Sequence, residues 1–506
     1  MRLMSQAEMD QLLPAETRAF RGPLPTQIVS SEEYVPTPQT AAQRAVEARL
    51  KALGDELGAW QGLTRRAFFR TAAGMAAAYV AMNEVYGPLF AATRAEAADR
   101  DLAAERAKAL AGQFVMDTHT HFLKDDTRLT GFVRMREAVG RQGWNPALAG
   151  KPQTIEDLKF DNYFKEVFLD SDTKVALISS APSDVPADWF LTNEMMAQAR
   201  TTVNARLGGR RLLTHAIFTP GQPGWMEALE RALADLKPDS VKGYTIGDNT
   251  HKDQSRHPWR LDDEKLLYPA YEKLLKAGVV NVCIHKGLFP PSLDQRFPGL
   301  RAHSDVRDVG KAAKDWPQLN FIIYHGAYRF AGGGNPADAL AQFEQTGRVE
   351  WVTDLAEIPG RHGVSNVYAD LGQLFALTTV AQPRLTAALL GMLVRGMGVD
   401  HVIWGTDAVW TGSPQWQIEG LRRLEIPEDM QREHGFAPLG PADGPIKNAI
   451  LGENVARLYR YNRHAEPGGP SRLAELKAEY ERRGPRPSNR RYGYVVRGSG
   501  AAPAIA

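Results

Sequence analysis

His119 and His121 stand two residues apart in Asp117-Thr118-His119-Thr120-His121, and further on come Cys283-Ile284-His285-Lys286, Tyr324-His325-Gly326 and Gly405-Thr406-Asp407. Neutral imidazole and carboxylate are donors that suit Zn²⁺ best, with Mn²⁺, Fe²⁺ and Co²⁺ as substitutes. Singly, each histidine could be a satisfied core residue, since two hydrogen-bond partners are enough for it. Together, four histidines and an aspartate buried without a cation would leave several polar groups in need of other partners. One ion would serve them jointly. Lys242, in Val241-Lys242-Gly243-Tyr244, adds an ammonium that could bind a substrate carboxylate or phosphate. The absence of coordinating thiolates favours a catalytic over a structural site, and the lone Cys283 excludes a disulfide framework and any multi-cysteine zinc centre. Water bound to Zn²⁺ has a pKa of about 7, and the same ion polarises a carbonyl, chemistry that suits hydrolysis of an amide, ester or lactone.

These residues need a scaffold that gathers them from distant parts of the chain. Eight short apolar, β-branched or aromatic runs alternate with longer polar or helical stretches: Phe114 to Phe122, Lys174 to Ser180, Arg211 to Thr219, Ser240 to Ile246, Val279 to Lys286, Asn320 to Tyr328, Asn366 to Leu371 and His401 to Asp407. This βα rhythm fits a (β/α)₈ TIM-type barrel, whose usual size is about 250 residues plus insertions, with a doubly wound open sheet as the alternative. The polar residues fall at the C-terminal ends of the runs, where a barrel carries its active site. Period-2 alternation points Asp117, His119 and His121 to one face, and sets Ile323, His325 and Ala327 on a common inward row. Tyr244, Phe289, Tyr328, Phe375 and Trp410 near the strand ends imply a planar or apolar substrate, or else loop packing. His251, His257 and Trp259 lie in a long segment after the fourth run that could form a lid.

The barrel occupies residues 111–462, with Ile446 to Tyr461 as a closing helix in which Gly452 looks out of place. Residues 1–110 form an N-terminal extension. Within it, Thr64-Arg65-Arg66-Ala67-Phe68-Phe69-Arg70 and the uncharged run Thr71 to Asn83 have the form of a twin-arginine export signal, with Ala95-Glu96-Ala97 as cleavage site, so the signal would span residues 64–97. That reading implies a periplasmic protein; the alternative is a cytoplasmic one whose extension packs on the barrel with Phe68, Phe69, Met75 and Tyr79 buried. Residues 463–506 read as a solvated Pro/Gly/Arg-rich tail containing Arg482, Arg483, Arg486, Arg490 and Arg491.

Of the 506 residues, 43% are hydrophobic and 24% charged, which excludes a chain disordered throughout. Sixty-one Lys and Arg against 59 Asp and Glu leave a net charge of +2, so no chain-wide field points to nucleic acid or anionic lipid. No apolar run reaches the roughly 18 residues of a transmembrane helix. The expected partner is a small-molecule substrate, with a homo-oligomer possible.

The motifs resemble the amidohydrolase superfamily, and more closely its amidohydrolase-related branch, which includes aminocarboxymuconate-semialdehyde decarboxylase. The resemblance runs over about residues 112–462 and includes Leu451-Gly452-Glu453-Asn454-Val455-Ala456-Arg457-Leu458-Tyr459, similar to that branch's last helix. It implies His119, His121, His285 and Asp407 as metal ligands, His325 as the histidine that contacts substrate or polarises water, and Asp407 as acceptor of the water's proton. In two-ion members a lysine ending the fourth strand is carboxylated and bridges the metals, which gives Lys242 that role and His285 and His325 a second ion. One-ion and two-ion readings both stand. The resemblance implies a metal-dependent hydrolase, or alternatively a metal-dependent non-oxidative decarboxylase of an aromatic or unsaturated acid. A non-catalytic barrel used for binding is the third reading.

Overall fold

Eight short strands are all parallel, and each is hydrogen-bonded to the next in sequence. They are β1 (Met116–His121), β2 (Val175–Ser179), β3 (Leu212–Ile217), β4 (Ser240–Tyr244), β5 (Asn281–His285), β6 (Asn320–Tyr324), β7 (Val367–Asp370) and β8 (Val402–Ile403), one inside each of the eight expected runs. The computed structural model describes residues 22–26, 39–127, 129–141, 150, 152, 154–253, 255–330, 335–463 and 471–485. Beyond β8 the chain continues alongside β1: Thr118 N donates to Trp404 O (3.0 Å), Asp407 N to His119 O (2.8 Å), and Thr120 bridges Ala408. The sheet therefore closes on itself, which makes it a (β/α)₈ barrel and rules out the open doubly wound alternative. Strands such as Val175-Ala176-Leu177-Ile178-Ser179 are buried at every position, because helices cover one side and the barrel interior the other.

The extension is built into this body. Helix α1 (Ala41–Trp60) starts on a capping box between Thr40 and Gln43, and α2 (Ala72–Tyr86) starts on the Thr71 side chain. Helix α3 (Arg100–Leu110) then leads into β1. The small residues of α2 let it approach closely, and Ala73, Ala76, Ala77, Ala78, Tyr79 and Ala81 are inaccessible to solvent. Phe68 and Phe69 are buried in the same core as the barrel helices, with Met75 packed against it. Tyr79 Oη donates to Trp416 O (2.5 Å) in α4 (Gln415–Arg423), and the Arg423 guanidinium, at the end of α4, pairs with Glu96 (2.6 Å). Ala95, Glu96 and Ala97, the expected cleavage site, lie in the helix Arg94–Ala98 with Ala97 fully buried.

Two expectations need correction. Gly452 is required where it stands: the closing helix widens into a π-turn at Ala449–Glu453, and a Cβ there would lie 2.4 Å from Phe114 O. The tail is not wholly solvated either, for α5 (Arg472–Arg482) buries Leu473 in a cluster with residues of β2 and β3. Arg486, Arg490 and Arg491 lie outside the described residues. Among the described residues no helix is long and apolar enough to cross a membrane.

Candidate functional site

Strand β1 is polar yet completely buried, so its side chains must find partners inside the protein. The threonines do so locally: Thr118 Oγ1 donates to Trp404 O (2.8 Å) and Thr120 Oγ1 to Leu177 O (2.8 Å). Asp117 accepts from Thr406 N (3.1 Å), the Thr406 hydroxyl and His119 N (3.0 Å), so it ties β1 to the segment after β8. His119 and His121 turn toward Asp407. His119 Nε2 lies 3.2 Å and His121 Nε2 3.3 Å from Asp407 Oδ1, and the donor atoms of these three residues are all within 4.8 Å of one another.

The far sides of the two rings decide what those contacts are. His119 Nδ1 is 3.0 Å from Asp370 Oδ1, and His121 Nδ1 is 3.1 Å from the Ser179 carbonyl. Both partners accept, so each imidazole carries its proton on Nδ1 and presents a lone pair from Nε2. Burial holds both histidines neutral by pulling their pKa values well below the usual one. Two lone pairs and a carboxylate oxygen thus face a common point, and a single proton on Asp407 could satisfy only one of the nitrogens. A divalent cation satisfies all three, and the donor set fits one. Burial, opposed by the charge of Lys242, pushes the Asp407 carboxyl up to about 7.

His285 does not join this group. Its ring stacks on Tyr244 (centroids 4.9 Å apart), and its Nδ1 lies 3.0 Å from His325 Nε2. His325 Nδ1 is 2.9 Å from Gly372 O, a carbonyl that can only accept. His325 Nε2 is therefore the acceptor and His285 Nδ1 the donor, which leaves the His285 lone pair on Nε2. The inward row expected for Ile323, His325 and Ala327 is absent, because β6 ends at Tyr324 and the chain turns with positive φ at His325 (61°), Gly326 (51°) and Ala327 (54°). Asp407 likewise lies past the end of β8 with φ of 60°. Such conformations cost about 1–3 kcal/mol each and gather at functional sites.

Lys242 pairs in register with Cys283, two positions short of the Tyr244 and His285 pair. Fully buried, its Nζ sits 3.3 Å from the centre of the Tyr324 ring and 5.1 Å from that of Tyr244. The Tyr324 ring in turn packs 4.1 Å from His119 between centroids, and its hydroxyl donates to Thr118 O (2.7 Å) while accepting from His215 Nε2 (2.9 Å). Ser240 closes this network by donating to His215 Nδ1 (2.8 Å).

Of the expected pocket aromatics, Trp410 stacks on His121 at 5.5 Å and Tyr244 lies on His285. Phe375 instead contacts Trp404, and Phe289 and Tyr328 are buried in the main core. Phe190 and Phe132 meet Trp410 edge-on at 5.5 and 6.2 Å, extending an aromatic wall beside His121. Sequence reasoning missed these two, and it missed Asp370, His215 and Tyr324. The acid ending β7 in Tyr368-Ala369-Asp370 was the available signal for Asp370.

A family model described as Amidohydrolase matches residues 116–461, and the chain belongs to that family. No curated protein matches it. Among solved structures, the chain is similar to an uncharacterized TIM-barrel protein from Bordetella bronchiseptica (15% identity, 68% of this chain and 98% of that one, TM-score 0.42). It is also similar to 2,6-dihydroxybenzoate decarboxylase from Rhizobium (15%, 69% and 99%, 0.40) and to 5-carboxyvanillate decarboxylase from Sphingomonas paucimobilis (16%, 69% and 100%, 0.39).

Proposed function

We propose that the protein is a metal-dependent non-oxidative decarboxylase of a planar aromatic or unsaturated acid, working with one divalent cation held by His119, His121 and Asp407. The observation that carries this reading is the pairing of one compact donor group with an aromatic wall, while Lys242, the residue a two-ion site needs, lies against Tyr324. A cation in this donor set would hold the substrate's oxygen atoms and draw electron density from the ring.

The remaining work falls to the chain. Trp410, Phe190 and Phe132 present ring faces and edges that orient a planar substrate and keep water away. Loss of CO₂ leaves an electron pair on carbon, which must receive a proton. The His285 and His325 pair can deliver one: burial and the neighbouring His325 hold the His285 pKa well below its ordinary value, so a proton at Nε2 is given up readily, while the Nδ1–H bond to His325, whose own Nδ1–H is anchored on Gly372 O, fixes the ring. His285 is thus assigned to proton handling in place of the expected fourth ligand.

The test is a screen of hydroxylated benzoates and unsaturated acids on the metal-loaded protein, scored for released CO₂. Acceptance of amides, esters or lactones with no CO₂ from any acid would replace this reading with hydrolysis. His285→Ala separates the two roles of that residue: proton handling predicts full metal content with turnover down by about 10²–10⁴-fold, whereas ligation predicts loss of metal.

A further inference from the structure

Away from the barrel mouth, a cavity of about 790 Å³ opens between the extension, α4 and α5. Its volume is in the range of small-molecule sites, about 300–1,000 Å³. Phe69, Met75, Leu169 and Trp416 supply an apolar lining, and six basic side chains stand against four acidic ones.

Most of the acidic charge is already used. Asp170 pairs with Lys165 (2.7 Å), Asp172 with Arg422 (2.6 Å), and Glu419 is shared among Arg106 (2.9 Å), Arg422 (2.8 Å) and Arg423 (3.2 Å). Glu481 is the fourth acid, on the exposed side of α5. On the basic side, Arg66 and Arg70 are exposed and make no ion pair or hydrogen bond among the described residues, unlike Arg65, which pairs with Asp55 (2.9 Å). Lys477 reaches in from α5 and donates to Ser171 O, with two of its three donors left for a ligand. Burial, with Lys174 adding to it, pulls its ammonium down to about 8 against the opposing charges of Asp172, Glu481 and Asp170. An anion placed here would relieve that strain.

We propose that this cavity binds an amphipathic organic anion, its carboxylate taken by Arg66, Arg70 and Lys477 and its apolar body laid against Phe69, Met75, Leu169 and Trp416. Charge complementarity argues for the anion, since Asp170, Asp172 and Glu419 are each paired with basic groups already, while Arg66 and Arg70 make no ion pair among the described residues. The paired-arginine motif thus acquires a ligand-binding role that is independent of the proposed decarboxylation.

The experiment is isothermal titration of the full chain with decanoate below its micelle concentration, beside 1-decanol and inorganic phosphate. Decanoate should bind one per chain, and 1-decanol and phosphate at least about tenfold more weakly, because each offers only half of the recognition. Combined Arg66→Gln and Arg70→Gln should weaken decanoate about tenfold, and adding Lys477→Met should weaken it further. Both arginines are exposed, so the double variant should keep the parent's Tm. Trp410→Ala, at the barrel mouth, should leave decanoate affinity unchanged. Equal affinity in the arginine variant and the parent, loss of binding in Trp410→Ala, or no decanoate binding would each overturn the proposal.

Discussion

Asp370 and Ser179 do the same thing for two different rings: each accepts a hydrogen bond from an Nδ1–H and so aims an Nε2 lone pair at Asp407. Asp370→Asn keeps the size but weakens that anchoring, and metal affinity measured by equilibrium dialysis should fall about 10–100-fold. Gly405 allows the arrangement, because a Cβ on it would stand 1.9 Å from Asp370 Oδ2. Asp407, raised to about 7, must lose a proton to serve as a ligand, while the histidines, held well below their ordinary value, are already neutral. Added divalent cation should therefore raise Tm little at about pH 5.5 and progressively more as pH climbs through about 7. A rise independent of pH would exclude Asp407 as a ligand. His119 and His121 were legible because their spacing and their place at the end of β1 agree, and Asp407 from Gly405-Thr406-Asp407, although it stands beyond the end of β8. Asp370 was not, since one acid closing a short apolar run looks like any strand terminus until the ring it faces is known.

Strand count and order could be read from the alternation of apolar runs, since parallel strands buried on both sides leave little room for polar residues. Strand ends could not. Parity extrapolates a side chain's direction only while the backbone stays extended, and β6 stops one residue before His325. The fit of the extension to α4 was equally hidden, because it depends on partners more than three hundred residues apart, such as Glu96 and Arg423. Removing one member of such a buried pair strands a charge. Arg423 keeps Glu419 as a second partner (3.2 Å), so Glu96→Ala should destabilise the fold by about 3 kcal/mol in denaturant unfolding, the lower end of the usual range. A change under about 0.5 kcal/mol would mean that the extension is only loosely attached.

At the scale of the whole molecule the extension and barrel share one hydrophobic core, and this bears on the export motif. Leu89, Phe90 and Ala91 run beside the end of α4: Ala91 N donates to Arg423 O (2.7 Å), Glu425 N to Leu89 O (2.8 Å), and Phe90 bridges Leu424. Cleavage after Ala97 would remove these bonds together with α2, whose buried Tyr79 and Met82 are each worth about 1.5–3 kcal/mol in burial alone. With Leu50, Leu53, Leu57 and Phe68, buried in the same core, the losses become comparable with the about 5–15 kcal/mol that holds a typical domain together. We propose that the chain functions with its extension attached, wherever it resides. Two measurements separate location from processing. If the paired arginines direct export, Arg65→Lys with Arg66→Lys should retain the chain in the cytoplasm. In either compartment, mass spectrometry of the recovered protein should find peptides covering residues 64–97, and a chain beginning at residue 98 should be insoluble or unfold at a far lower temperature. A stable, metal-binding protein that starts at residue 98 would show that the barrel stands without the extension and would return Thr64 to Ala97 to the role of a removable signal.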